Sequence, residues 1–331
     1  MRVLIIGAAG MLGRKLAQRL AGEGALGGEE IDSIALADAV APTAVTAAAQ
    51  VDVTVCDLAE PGTARRLVAT HPQVIFDLAA VVSGEAEVDF DKGYRVNLDA
   101  TRELLEAVRA EGAGYRPRLV FSSSIAVFGP PMPEIIGDEQ AATPATSYGT
   151  QKAIAELLLA DYSRRGFLDG VGIRLPTICV RPGAPNRAAS GFFSGIIREP
   201  LDGREAVLPV SRDVRHWFAS PRAAIHYLAH AATIDTAQLG PRRSLTMPGV
   251  SATVEEEIAA LRRVGGDRAV ALIRDEPDEL IARVVGSWPR AFDARRATAL
   301  GFIAERDFDE IVGVHLADEL GTAATDERGR R

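Results

Sequence analysis

The segment Tyr148-Gly-Thr-Gln-Lys152 sets a phenol and an ammonium four residues apart, on one face of any helix that holds them. Of the 37 basic residues only Lys15, Lys92 and Lys152 are lysines, and with 5 tyrosines in 331 residues this spacing arises by chance about 0.05 times. A phenol is a poor base at neutral pH, but a neighbouring ammonium and a cationic ring nearby would both favour its phenolate, and Tyr148 then becomes a competent proton acceptor. The plainer alternative is a solvated lysine beside a partly buried tyrosine. Ser122-Ser123-Ser124 close an apolar run, where a hydroxyl can hold a reacting oxygen while the tyrosine moves the proton, although serines there also serve as simple turn residues.

A second constellation stands at the N-terminus. Gly7-Ala8-Ala9-Gly10-Met11-Leu12-Gly13 lies between an apolar run, Arg2 to Ile6, and an amphipathic stretch, Leu12 to Leu20. Backbone amides opening a helix there can hold a pyrophosphate more closely than any side chain. The spacing is GxxGxxG rather than the commoner GxGxxG, and its strand-to-helix context makes it a dinucleotide site. Asp38 stands 25 residues after Gly13, where a carboxylate accepts from both adenosine ribose hydroxyls. It would repel a 2'-phosphate, and Ala39-Val40-Ala41 offers no arginine to bind one, so the expected cofactor is NAD; the alternative is an Asp capping a turn. Asp57-Leu58 stand where the adenine edge would lie.

These groups need a scaffold. Apolar runs at Arg2 to Ile6, Ser33 to Ala37, Val51 to Val55, Val74 to Leu78, Arg118 to Ser122 and Val171 to Arg174 read as buried strands. Helical periodicity at Leu12 to Leu20, Thr63 to Thr70, Phe90 to Ala110 and Ser147 to Arg165 alternates with them. The pattern predicts an α/β fold, a Rossmann-type doubly wound parallel sheet, with a smaller C-terminal α/β substrate domain. After Arg174 the alternation fails: Leu175 to Arg212 reads as loop and lid, with a short helical piece at Phe192 to Ile197. Helices at Pro221 to Thr233, Val254 to Val264, Pro277 to Val284 and Phe308 to Leu316, and a strand at Ala269 to Ile273, are expected beyond it. The division is 1–175 for NAD, with a return around 213–245, then 176–212 and 246–320 for substrate and lid, and a flexible tail at 322–331.

Composition narrows the partners. With 47% hydrophobic and 25% charged residues the chain is an ordinary globular protein, and its length suggests about two domains. A net charge of -8 argues against nucleic acid, and no run of 18 apolar residues suggests a membrane span. Cys56 and Cys179 have no metal-ligand spacing, which fits a reducing compartment, and the short apolar N-terminus lacks a secretory pattern; cytoplasm is the expectation. His226 and His230 are spaced to share a metal, but no third ligand accompanies them and no metal is expected.

The set GAAGMLG, Asp77-Leu78-Ala79-Ala80, Asn97 in VNLDATRELLEA, FSSSIAVFG, YGTQK and FDARRATALGF resembles the extended short-chain dehydrogenases, the NAD-dependent epimerase/dehydratase family, over nearly the whole chain. SYGTQKAIAELLLADYSRRGF, RLPTICVRPGAPN and SGFFSGIIREPLDG resemble the branch that oxidises C2 of D-erythronate, a four-carbon sugar acid. The resemblance makes Tyr148 the base, Lys152 the group that binds the nicotinamide ribose and lowers the phenol pKa, Ser124 the partner of the reacting oxygen and Asn97 the support for a relay behind the lysine. It gives the cofactor Gly7, Gly10, Met11, Leu12, Gly13, Asp38, Asp57, Leu58, Leu78, Ala79, Ala80, Asn97, Ser122, Tyr148, Lys152 and Pro176. It also implies a homodimer through the Phe90 to Ala110 and Ser147 to Arg165 helices.

Departures from the nucleotide-sugar members point to a smaller substrate. Ile125-Ala126 replace the acid pair needed to eliminate water, and Arg174-Leu-Pro-Thr177 lacks the asparagine of R-x-x-N. A sugar acid needs a cation for its carboxylate, and Arg215 is the first choice, the alternative being a surface pair near Asp213. Ser83, Ser124, Tyr148, Asn186, Ser190 and Ser194 are expected to meet its hydroxyls, and His216 to assist. The rivals are a nucleotide-sugar 4-epimerase and a non-catalytic NAD-binding redox sensor.

Overall fold

The structure, a computed structural model, describes residues 1–183 and 189–321. Six strands, β1 (Arg2–Ile6), β2 (Ser33–Asp38), β3 (Gln50–Val55), β4 (Val74–Asp77), β5 (Arg118–Ser124) and β6 (Asp169–Leu175), pair in parallel, and Ser244–Thr246 adds a seventh beside β6. The order across the sheet is Ser244–Thr246, β6, β5, β4, β1, β2, β3. The chain therefore winds one way from β1 and the other way from β4, and the reversal opens a crevice at the carboxyl ends of these neighbours.

Side-chain alternation explains why both faces are covered. In β1, Val3 and Ile5 enter one apolar core with α1 (Met11–Glu23) and the helix Pro221–Ala231, whereas Leu4 and Ile6 enter another with α2 (Thr63–Val68), α3 (Ala100–Ala110) and α4 (Ser147–Arg164). The exception is β3, the edge strand, where Val53 and Val55 are 42% and 60% exposed. Its expected burial fails because it ends the sheet, paired only with β2 among the described residues. The expected single helix Phe90 to Ala110 is interrupted by a π-helical turn, Arg95–Asp99, which turns Asn97 into the interior.

The remaining chain builds a second core. Strand β7 (Thr177–Ile178) runs parallel to β9 (Arg215–Ala219), which pairs antiparallel with β10 (Val250–Thr253); β8 (Ala206–Leu208) pairs with β11 (Ile273–Asp275). Helices α5 (Gly191–Leu201) and α6 (Val254–Val270) pack on these strands around Phe193, Ile197, Phe218, Ile258 and Leu261. The segment expected as loop and lid thus contains a full helix and two short strands, β7 and β8. The expected strand Ala269 to Ile273 is also corrected: the chain stays helical to Val270, past a kink at Gly266, and extends only from Ile273. The helical continuation packs Ala269 inward. Helix α7 (Glu279–Gly286) follows, capped by the Asp278 carboxylate, which accepts from the amides of Leu280 and Ile281 at 2.8 and 3.0 Å, and the expected terminal helix spans Phe308–Glu319, with Phe308, Ile311 and Val312 in the second core.

Candidate active site

The crevice at the reversal of strand order is built by two backbones in contact. Gly7 has φ +84, and a Cβ there would lie 2.7 Å from the Ala79 amide in the loop after β4. A Cβ on Gly13 would lie 2.2 Å from the Gly7 carbonyl, so only glycine lets α1 start against the turn. Gly10 caps that helix without any side-chain hydrogen bond, leaving its first amides to a ligand. At the end of β2, the two oxygens of Asp38 accept from the amides of Ala9 at 2.9 Å and Val40 at 3.1 Å, so the carboxylate does cap the turn. A carboxylate has about four acceptor positions, and those that remain suit a ribose diol. This cradle fits a dinucleotide.

Beyond it opens a cleft of about 700 Å³. Met11, Leu12, Leu78, Ala80, Ser83, Ser122, Ser124, Tyr148, Lys152, Pro176 and Ser190 all line it, so the structure brings together both sequence motifs and part of the expected substrate set. Helix α4 places the first of these: Thr146 Oγ1 accepts from the Gly149 amide at 3.1 Å, starting the helix at the residue before Tyr148. One turn later Lys152, 1% exposed, donates to the Ser122 carbonyl at 2.8 Å and lies 4.6 Å from the centroid of the Phe121 ring.

Burial dominates the electrostatics of this pair. Burial pushes the Tyr148 phenol up to about 12, opposed only by the Ser124 hydroxyl. Burial likewise pushes Lys152 down to about 8, with the Asp77 and Glu156 carboxylates pulling the other way. Lys152 sits 5.7 Å from the Tyr148 ring centroid, but its hydrogen bond goes to backbone, so it does not by itself produce the phenolate. A further positive charge beside the phenol would favour its phenolate.

Several expected residues lie elsewhere. Arg215 does not reach the cleft: side chains alternate along β9, His216 faces inward, and the Arg215 guanidinium pairs Glu256 at 3.3 Å and donates to the Ser251 carbonyl at 3.1 Å. Ser194 is 1% exposed and bonds inside the second core, accepting from the Arg181 amide at 3.0 Å. Asn97 supports the site without lining it; its amide clamps both backbone groups of Val81, at 2.8 and 3.2 Å, and donates to Gln151 at 2.8 Å. Asp57 pairs Arg95 at 3.0 Å and Leu58 is buried in the core. Asn186 and the tail 322–331 lie outside the described residues. His230 gives a ring nitrogen to the Leu300 carbonyl at 2.7 Å, and no metal-binding group of three His, Cys, Asp or Glu exists among the described residues.

The cleft also contains residues that sequence reasoning passed over. Arg181 lines it half-buried, with Nη2 on Ser190 Oγ at 3.0 Å and no ion pair among the described residues. An arginine closing the apolar run Ile178-Cys179-Val180 was the available signal. Arg283, Ser287 and Trp288, from α7 and the turn after it, complete the far wall with Thr177 and His216. No helix among the described residues is long and apolar enough to cross a membrane.

The model of the NAD dependent epimerase/dehydratase family matches residues 3–233. D-erythronate dehydrogenase of Cupriavidus necator is 47% identical over 96% of this chain and 98% of its own, and that of Haemophilus influenzae 42% identical over 94% and 98%. Among solved structures, one described as a nucleoside-diphosphate-sugar epimerase from Agrobacterium tumefaciens superposes with a TM-score of 0.95 at 60% identity, covering 97% of this chain and 95% of that one.

Proposed function

The chain belongs to the NAD-dependent epimerase/dehydratase family and is an NAD-dependent oxidoreductase; from that premise we infer that it oxidises the C2 hydroxyl of a sugar acid, D-erythronate, to the 2-keto acid. The observation that carries this reading is Arg181, a half-buried cation without a carboxylate partner among the described residues, in the same cleft as Tyr148, Lys152 and Ser124. A buried guanidinium left unpaired is costly unless a ligand supplies the anion. Its planar fork suits a substrate carboxylate. High identity to two D-erythronate dehydrogenases supports the same substrate.

The Gly7 to Gly13 turn would hold the pyrophosphate of NAD, Asp38 its adenosine ribose and Lys152 its other ribose. Bound NAD⁺ supplies the hydride acceptor and the positive charge that the Tyr148 phenol lacks on its own. Tyr148 then removes the proton of the C2 hydroxyl as the C2 hydride departs, while Ser124 holds the same oxygen. Arg181 anchors the carboxylate on C1 and so fixes which carbon faces the tyrosine.

The name attached to the Agrobacterium structure favours a second reading, epimerisation of a nucleotide sugar. The two differ in net chemistry, because an epimerase returns its hydride and accumulates no NADH. Purified protein is incubated with NAD⁺ and either four- to six-carbon aldonates or UDP-sugars, following NADH absorbance and sugar composition. Stoichiometric NADH from D-erythronate is expected; epimerised UDP-sugar without net NADH overturns the reading.

A further inference from the structure

One wall of the cleft carries a three-membered hydrogen-bond chain that the mechanism above does not use. His216 Nδ1 lies 2.9 Å from the Pro289 carbonyl oxygen, and its Nε2 lies 2.7 Å from Thr177 Oγ1. A carbonyl only accepts, so the imidazole proton sits on Nδ1. The ring is 2% exposed and stacked on Phe193, with centroids 5.3 Å apart, and burial pushes its pKa down to about 4. Nε2 is therefore a bare lone pair at neutral pH, and the shared proton comes from Thr177. A hydroxyl has one proton. With that proton given to His216, Thr177 Oγ1 has only lone pairs left to offer the cleft that it lines.

We propose that Thr177 determines specificity by accepting a hydrogen bond from a substrate hydroxyl beside the oxidised carbon, and that His216, held by Pro289, is the positioning residue that fixes this polarity. The proposal rests on the sugar-acid reading. A subsite that can only accept welcomes a hydroxyl and opposes a carbonyl or carboxylate oxygen, whose lone pairs would face its own. Arg181 selects the opposite polarity, so the two subsites tell the ends of a polyhydroxy acid apart. A 2-hydroxy acid without further hydroxyls leaves the Thr177 lone pairs unmatched in the complex. The chain also joins distant segments, because Pro289 directly follows Ser287 and Trp288 in the far wall.

The test compares D-erythronate with D-2-hydroxybutyrate, which has the same four-carbon chain without the C3 and C4 hydroxyls. Thr177→Val, near in shape but with no acceptor, should lower kcat/KM for erythronate roughly tenfold and leave hydroxybutyrate nearly unchanged. Thr177→Ser should keep the discrimination, and His216→Phe should lose it, with NADH affinity by fluorescence unaltered in each. Nitrogen-15 NMR of wild type should report the Nδ1–H tautomer of His216, with the Nε2 resonance moving in Thr177→Val; this reading stands even if a variant folds poorly. An Nε2–H tautomer, equal losses on both acids, or full erythronate activity in Thr177→Val overturns the proposal alone. A wild-type chain that oxidises neither acid overturns it together with the functional reading.

Discussion

Replacing Arg181 by methionine separates a binding role from a structural one. The guanidinium gives one hydrogen bond, to Ser190 Oγ, and pairs no carboxylate among the described residues, so most of its five N–H donors are available to a substrate. A carboxylate taking two of them makes charge-assisted bonds of about 1.5–3 kcal/mol each, part of which offsets desolvation. The net loss on truncation is about 3–4 kcal/mol, or between roughly 100-fold and 1000-fold in kcat/KM for erythronate. Stability should move the other way, since burial already holds the Arg181 pKa below its usual value, the mark of a cation desolvated without compensation. Steady-state rates of NADH formation and thermal unfolding of the unliganded protein measure the two effects. Arg181→Lys should recover part of the activity, as a point charge replaces a fork. The reasoning is refuted if Arg181→Met keeps kcat/KM within about threefold of wild type, or if its activity falls only in step with a lowered melting temperature.

Three further outcomes follow from the geometry. Tyr148→Phe should cut turnover by roughly 10²–10⁴-fold while NAD affinity, read by calorimetry, stays near wild type; near-normal turnover removes Tyr148 from the chemistry. His216 stays neutral in the fold down to about pH 4 against 6.5 for a free imidazole, so stability is full above pH 6.5 and falls as the pH drops toward 4. Denaturant titrations should show wild type losing about 3 kcal/mol more than His216→Phe across that window; parallel curves contradict it. Gly13→Ala puts a methyl 2.2 Å from the Gly7 carbonyl, and should cost about 1–3 kcal/mol and weaken NAD at least tenfold by fluorescence titration.

The glycine turn and the Tyr148–Lys152 pair were legible in the sequence because their signals are local. A strand, a glycine turn and a helix within 23 residues, or a phenol and an ammonium one turn apart, need no knowledge of the rest of the fold. Which cation faces the cleft was not, because that depends on which way a residue points. Arg215 and His216 are neighbours on β9, and a frame shift of one residue exchanges the cleft-facing imidazole for the outward guanidinium. Without that strand in hand, the larger charge drew the assignment. Arg283 and Trp288 enter the cleft from more than a hundred residues beyond Arg181, a proximity that periodicity does not encode. Val51 to Val55 shows the same limit in the fold: β-branched residues mark a strand, but only topology decides that it is an exposed edge.

The cleft wall that ends at Pro289 has a consequence for the chain during its synthesis. The glycine turn, the serine strand and α4 have all been made by residue 164, whereas the far wall awaits residues 283–289. At typical elongation rates that gap is on the order of ten seconds. During it Ile125, Val127 and Phe128 lack Trp217 and then Phe292, the partners that bury them in the finished protein. The nascent chain thus presents an open, apolar half-site at the ribosome, and the segment from Trp217 to Phe292 both completes the cleft wall and covers that surface.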